Sequence, residues 1–345
     1  MTAGARLTID PAALARNFAN LAARSRGACA GVVKANAYGL GIDVAAPALS
    51  RAGCDTFFVA TQAEGFSLRA LLPGATIFIL NGLFGDPGEA IAARLIPLIS
   101  SLDALADWPD APFALNVDTG MNRLGLTLAE AATVTRQPVL LTSHFACADT
   151  PDHPQNADQE AAFATVRNTF PDVPHSLANS AALLTRPDSH FDLTRPGIAL
   201  YGGRAAEGVA PLEPTVRLTA KVIQVRTVAA GEAVGYGAAE RVRAPRLVAI
   251  VSLGYADGFL RAAGGADGKR GGPAFVNGRP ARLIGRVSMD LVAVDVTEAP
   301  CARGDEVELF GPNVPLSDAA AAAGTIDYEL LTGLSRRAER VIAPL

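Results

Sequence analysis

Lysine is nearly missing from this chain: only Lys34, Lys221 and Lys269 stand against 27 arginines. Positive charge here comes from arginine, which keeps its proton, whereas lysine can lose it near neutral pH and attack a carbonyl. Other shortages exclude whole classes of function. No apolar stretch approaches the roughly 18 residues of a membrane span. The first ten residues lack the charged-then-apolar layout of a signal peptide. No basic run appears and the formal net charge is −4, which argues against a nucleic-acid surface. The four cysteines are scattered with no Cys-x-x-Cys pair, and the four histidines show no zinc-ligand spacing. Such thiols suit a reducing cytoplasm, and no metal is expected.

Half of the residues are hydrophobic and 19% are charged, so a large core can form. From residue 11 to about 200, short apolar runs alternate with Ala-rich helical segments. The predicted strands are Gly31–Val33, Phe57–Val59, Ile77–Leu80, Pro97–Ile99, Phe113–Val117, Leu140–Ser143, His175–Leu177 and Leu193–Arg195. Helices are predicted over Pro11–Ser25, Asp43–Ala52, Gln62–Leu71, Leu128–Arg136 and Gln155–Asn168. Near-continuous apolar strands separated by helices pair in parallel, and this many units fit an α/β fold of the (β/α)8 TIM-type barrel. After about residue 212 the pattern changes to strands with little helix: Leu218–Val228, Leu247–Leu253, Pro273–Val276, Ala281–Ile284, Leu291–Val296 and Glu306–Phe310. Asn277-Gly278 between two of them is a strong hairpin signal. The expected domains are therefore a barrel over 1–212 and a mainly antiparallel β domain over 213–345.

Active sites of such barrels gather at the carboxyl ends of the strands. Lys34 ends the first predicted strand, His144 the sixth and Arg195 the eighth; Asn179-Ser180 follow the seventh and Arg123 lies just past the fifth. Singly, His144 reads as a core histidine, Arg195 as a salt-bridge partner and Asn179-Ser180 as a helix cap. Together on one rim they point to a site. Loops after the last two strands commonly bind phosphate, and Ser180 at a helix start with Gly197 close by suits an anion. A phosphate clamp opposite a lysine able to bond an aldehyde suggests pyridoxal 5'-phosphate.

The chain resembles the alanine racemases, pyridoxal-phosphate enzymes of fold type III, over essentially its whole length. The resemblance rests on Val33-Lys34-Ala35-Asn36-Ala37-Tyr38-Gly39, Val117 through Gly125, Ser143-His144-Phe145-Ala146 and Ala178-Asn179-Ser180-Ala181. It continues through Arg195-Pro196-Gly197-Ile198, Gly254-Tyr255-Ala256-Asp257-Gly258, Gly285 through Asp290, and Ile326-Asp327-Tyr328-Glu329. It implies interconversion of L- and D-alanine, for peptidoglycan supply or alanine catabolism. Lys34 would bond the cofactor and act as one base, with Tyr255 as the other. Tyr38, Asn179, Ser180, Gly197, Ile198 and Tyr328 would bind the cofactor, largely at its phosphate. Arg195 would face the pyridine nitrogen and Arg123 the phenolic oxygen, with His144 between Tyr255 and Arg195. Arg123 and Met289 would contact substrate. The resemblance further implies a homodimer whose sites are shared between subunits, because Tyr255 and Met289 would reach the opposite cofactor.

Two positions depart from the family pattern. Asn116 stands where many members carry a carbamylated lysine, so either Asn116 bonds Arg123 directly or a small anion takes the missing charge. Between residues 259 and 288 no tyrosine lines the entrance, and Gly- and Arg-rich 261–272 replaces it. This keeps a broader racemase acting on serine or basic amino acids as an alternative. A decarboxylase would need an acidic group in place of Arg195, and a non-catalytic barrel would lack the β domain. Tyr201 and Tyr236 are expected to serve packing.

Overall fold

The computed structural model describes residues 4–343, which divide into two compact units. Leu14–Leu212 forms one; the chain up to Ala13 joins the segment from Glu213 onward in the other.

The first unit is a closed ring of parallel strands alternating with helices. Its first strand is split, Ala28–Cys29 running on into Gly31–Val32, and pairs through the latter with Thr56–Val59. Thr76–Ile79, Leu95–Ile99, Ala114–Asn116, Leu140–Thr142 and His175–Ser176 follow in sequence order. Leu193–Thr194 closes the ring by pairing in parallel with Ala28–Cys29 on one side. On the other, a parallel bridge joins Asn179 to Arg195. Phe57, Phe58, Leu115 and Leu141 are fully buried, as strands covered on both faces require.

Helix boundaries follow local chemistry. Helix Pro11–Arg24 starts where the Asp10 carboxylate accepts the Ala13 N–H at 2.9 Å, with proline at the first helical position. Helix Gln62–Leu71 starts in a capping box made by Thr61 and Glu64. The segment expected to be helical from 128 to 136 is shorter, ending at Ala131.

In the second unit six antiparallel strands close on themselves. Val216–Val228 pairs with Arg246–Val251 on one edge and with Glu306–Phe310 on the other. Val292–Asp295, Arg279–Leu283 and Pro273–Val276 complete the circuit. Val228, Val234, Val242, Val248 and Ile284 form a core cluster of this unit. Two further strands extend the sheet. Arg6–Ile9 pairs with Val216–Val228, and Glu339–Ile342 pairs with Arg6–Ile9. The N-terminal strand, expected within the barrel segment, thus belongs to the β unit.

The hairpin at Asn277-Gly278 has positive φ at both central residues, 49° and 77°, the mark of a type I′ turn. A side chain at Gly278 would meet open space, so only backbone strain opposes one. We expect Gly278→Ala to cost about 1 kcal/mol in a urea titration. An unchanged or raised midpoint would contradict the left-handed assignment.

Candidate active site

Lys34 leaves the first barrel strand and enters a turn of unusual hand. Ala35, Asn36, Ala37 and Tyr38 all have φ between 52° and 56°. Left-handed helical backbone costs an L-residue roughly 1–2 kcal/mol, so the surroundings must hold this stretch. The Ala37 N–H donates to the Val33 carbonyl, Gly39 to Ala35 and Gly41 to Asn36, each at 2.9 Å. Asn36 Oδ1 accepts the Ile42 N–H at 2.9 Å. The Tyr38 ring stacks on Tyr201 at 4.5 Å, and the Tyr201 hydroxyl donates to the Val32 carbonyl. Tyr201 is therefore a packing residue, as expected.

Lys34 faces a cavity of about 410 Å³ together with Arg123, His144, Arg195, Asn116 and Asp118. Its amine has no hydrogen bond or ion pair to any described residue. Burial, then the Arg123 cation, lowers its proton affinity below the ordinary lysine value, while Glu64 acts in the opposite direction.

Arg195 is 6% exposed and has no acidic partner among the described residues. Its guanidinium donates to Ser176 Oγ, to the Ser143 carbonyl at 2.6 Å and to the Leu177 carbonyl at 3.5 Å. The cation also lies 5.8 Å from the Phe58 ring centre. Burial pulls its pKa down to about 10, which leaves it charged at neutral pH. The salt-bridge alternative is thus excluded within the described residues. His144 lines the same cavity. Burial, then Arg195, Arg123 and Lys34, pushes its pKa down to about 3, so the imidazole is neutral.

Arg123 is carried by a loop folded around Asp118. That carboxylate accepts the Gly120, Met121 and Arg123 N–H groups at 2.8, 2.9 and 3.2 Å. Burial raises the Asp118 pKa, but these backbone bonds outweigh it and the net shift is downward. The Arg123 guanidinium itself bonds no described residue, and this corrects the direct Asn116 contact entertained from the sequence. The Asn116 amide donates to Ser100 Oγ at 3.2 Å and to the Leu124 carbonyl at 2.9 Å, and its oxygen accepts from Thr142 at 3.2 Å. It braces the loop next to Arg123 and leaves the cation itself alone.

Next to this cavity the last two strands bring together Ser180, Gly197 and Ile198 with Tyr38. Ser180 Oγ accepts the Gly197 N–H at 2.7 Å and the Ala199 N–H at 3.3 Å. A Cβ on Gly197 would stand 2.1 Å from the Tyr38 hydroxyl, so no side chain fits there. Ile198 is fully buried. Asn179 caps helix Ser180–Thr185 by accepting the Ala182 N–H at 3.0 Å.

Tyr255, Met289 and Tyr328 belong to the β unit. The Tyr255 N–H donates to the Ser288 carbonyl at 3.1 Å and the Ala256 N–H to the Met289 carbonyl at 2.9 Å, which locks the two loops side by side. Arg337 clamps them again through Asp257 at 3.1 Å and Asp290 at 2.6 Å. Tyr255 is 41% exposed and Met289 53%. Tyr255 lines a cavity of about 260 Å³ with Tyr236, Arg261, Val287 and Ser288.

The chain matches the N-terminal domain of alanine racemase over residues 9–205 and the C-terminal domain over 215–342. The chain belongs to the alanine racemase family. A biosynthetic alanine racemase of Agrobacterium fabrum is 46% identical, covering 97% of this chain and 93% of the relative. A catabolic alanine racemase of Mesorhizobium japonicum is 44% identical, covering 98% and 93%. The crystal structure of the Bartonella henselae alanine racemase, with covalently bound pyridoxal phosphate, superposes at a TM-score of 0.91 and 37% identity, covering 99% of this chain and all of that one.

Three residues lie beside these positions that were given no site role from the sequence. Tyr236 is 70% exposed and lines the Tyr255 cavity, so the packing role expected for it does not hold. Arg261 shares that cavity; its position shortly after Gly254–Gly258 was the available signal. Glu64 bonds the turn that carries Lys34, and the spacing Thr61-Gln62-Ala63-Glu64 announces a capping box.

A histidine with a native pKa near 3 and an unfolded value near 6.5 binds its proton only in the unfolded state between those limits. Stability therefore falls as pH drops through that window. At pH 5 the deficit from His144 should be about 2 kcal/mol. Urea titrations at pH 7 and pH 5 should show His144→Gln losing less stability than the parent chain. An equal loss in both would refute a neutral His144.

Proposed function

We propose that this chain racemises alanine, with Lys34 and Tyr255 as its two bases and pyridoxal 5'-phosphate as its cofactor. The observation that carries the reading is an amine without a partner, in a cavity whose cations have no acid to neutralise them. The one carboxylate lining that cavity, Asp118, is engaged by backbone N–H groups of its own loop.

The residues present fit the cofactor. Lys34 would bond its aldehyde carbon. Ser180, Gly197, Ile198 and Tyr38 would hold the phosphate, where the absence of a side chain at Gly197 lets the Tyr38 hydroxyl approach the backbone; Asn179 caps the helix that Ser180 begins, and the family resemblance would add Tyr328. Arg195 would face the ring nitrogen and Arg123 the phenolic oxygen. When bound, the cofactor supplies an electron sink that makes the substrate α-proton acidic.

Racemisation requires a proton to leave one face of the α-carbon and another to arrive on the opposite face. A single base tends to return the proton to the side it came from. Lys34 Nζ serves one face; burial and the Arg123 cation lower its proton affinity, which is the direction a base needs. Tyr255 Oη serves the other. Arg195 keeps its own proton, so it gives none to the ring nitrogen. With its ring nitrogen left unprotonated the cofactor would be a weaker electron sink, which would favour return of a proton over side reactions. His144 is neutral and would stand between Tyr255 and Arg195; the Arg195 donors go to Ser176, Ser143 and Leu177, so among the described residues it makes no hydrogen bond to Arg195. Arg123 and Met289 orient the substrate carboxylate.

Tyr255 and Met289 are exposed and backbone-locked on the β unit. We infer that they complete the site of a second copy, in a homodimer. The four free cysteines accord with work in a reducing cytoplasm, and no helix of the described residues is long and apolar enough to cross a membrane. Relatives of both biosynthetic and catabolic kind are similar to this chain, and either role uses the same chemistry.

Incubation with L-alanine should abolish optical rotation, with L-serine and L-lysine run beside it as tests of breadth; no racemisation of any of them sinks the reading. Borohydride reduction should fix the pyridoxyl group on Lys34, and a label on Lys221 or Lys269 overturns that assignment.

Shared sites have their own test. Lys34→Ala and Tyr255→Phe, each nearly inactive alone, should regain about a quarter of full activity after mixing and subunit exchange, since half of the dimers are mixed and each mixed dimer has one intact site. No recovery, with exchange verified by mass, would place both bases in one subunit.

A further inference from the structure

Glu64 is the third residue of helix Gln62–Leu71 and closes its capping box with Thr61. Glu64 Oε2 accepts the Ala60 N–H at 2.8 Å and the Thr61 N–H at 3.3 Å, while Thr61 Oγ1 accepts the Glu64 N–H at 3.3 Å. A cap needs no more than this. Yet Oε1 turns away from the helix and accepts the Asn36 N–H at 3.3 Å. Asn36 lies inside the left-handed stretch after Lys34. One carboxylate therefore brackets the loop after the second barrel strand to the turn after the first.

That turn needs such a bracket. Four consecutive residues in left-handed backbone would relax toward ordinary conformations if unsupported. Bonds from Ala37, Gly39 and Gly41 run within the segment itself; the Glu64 bond comes from a different element and fixes the segment against the barrel. Lys34 is the residue immediately before the stretch, so its direction depends on the stretch staying formed. Glu64 is also the anion that opposes burial and Arg123 in setting the charge of Lys34. Of the other titratable groups lining the Lys34 cavity, His144 is neutral, Arg123 and Arg195 are cations, and Asp118 is engaged by backbone N–H groups of its own loop.

We propose that Glu64 is a positioning residue for Lys34: it holds the left-handed turn through Asn36 and so fixes where the Lys34 amine points. This rests on the reading of Lys34 as the reacting amine. Nothing in it requires Glu64 to touch substrate.

The test compares Glu64→Gln and Glu64→Asp with Thr61→Ala, which weakens the same cap and leaves the Asn36 bond in place. In Glu64→Gln an amide N–H₂ must face one of the N–H donors. Exchange of the Asn36 amide should then quicken about tenfold or more, and stay near the parent value in Thr61→Ala. With only three lysines, amine acylation followed by peptide mapping can follow Lys34 against Lys221 and Lys269 as internal references. Loss of the anion should move the half-labelling pH of Lys34 downward in Glu64→Gln. Glu64→Asp keeps the charge but falls short of Asn36, so exchange should quicken with little movement of that midpoint. Holoenzyme kcat for alanine should fall about tenfold to a hundredfold in Glu64→Gln, as for other small misplacements of a reacting group.

Parent-like Asn36 exchange and parent-like labelling in Glu64→Gln overturn the proposal, and so does a Thr61→Ala variant that reproduces both changes. The exchange and labelling arms need no turnover. If the chain racemised nothing, they would still decide the role of Glu64 while the functional reading alone failed.

Discussion

The site depends on closure of the parallel ring where Leu193–Thr194 meets Ala28–Cys29. Arg195 and Gly197 follow one of these strands, and Lys34 and Tyr38 follow the other. Without that seam, the cation and the side-chain-free position would lie at one end of an open sheet and the lysine at the other. The seam is short, with two residue pairs in register, yet it is reinforced by the Ala30 N–H to the Thr194 carbonyl at 2.9 Å and the Val32 N–H to the Pro196 carbonyl at 3.1 Å. The stacked Tyr38 and Tyr201 rings span the same seam from opposite ends of the barrel sequence. A ring has no edge strand, so register is fixed from both sides at once.

Inside the ring, charge is distributed unusually. Buried cations normally need a carboxylate. Here Arg195 is held by a hydroxyl and two carbonyls, which satisfy its donors without cancelling its charge. The Arg123 guanidinium bonds no described residue, and Lys34 sits between the two influences of burial and charge. Burial first, and then the field of these cations, keeps His144 neutral. That field also suits a phosphorylated, electron-poor ring, for which an acidic lining would be repulsive. Asn116 conforms to this pattern: it supports the loop of Arg123 through neutral bonds.

Much of this was legible in the sequence because short-range chemistry determines it. The barrel strands, the Asp10-Pro11 helix start and the Asn277-Gly278 turn depend on neighbours in the chain. So did the placement of Lys34, Arg123, His144 and Arg195 at strand ends, which the cavity they share makes concrete. What stayed hidden depends on distance in the chain. Arg6–Ile9 is too short to declare which unit it joins, and only pairing with Val216–Val228 decides it. The left-handed turn after Lys34 contains two alanines, an asparagine and a tyrosine, residues that carry little warning of positive φ; it is held by tertiary bonds. Tyr236 looked like a packing residue because aromatic residues usually are, and its exposure comes from loop geometry no local pattern encodes.

The strand Arg6–Ile9 also orders events in time. It leaves the ribosome before any barrel strand, yet its partners are Val216–Val228 and Glu339–Ile342, at the far end of the chain. The barrel segment can be complete while this strand still waits, its hydrogen-bonding edge open, for the residues that follow the barrel. The β unit is therefore stitched by a thread laid down before the barrel and tied after it. A change confined to residues 6–9 would be felt in the unit that carries Tyr255.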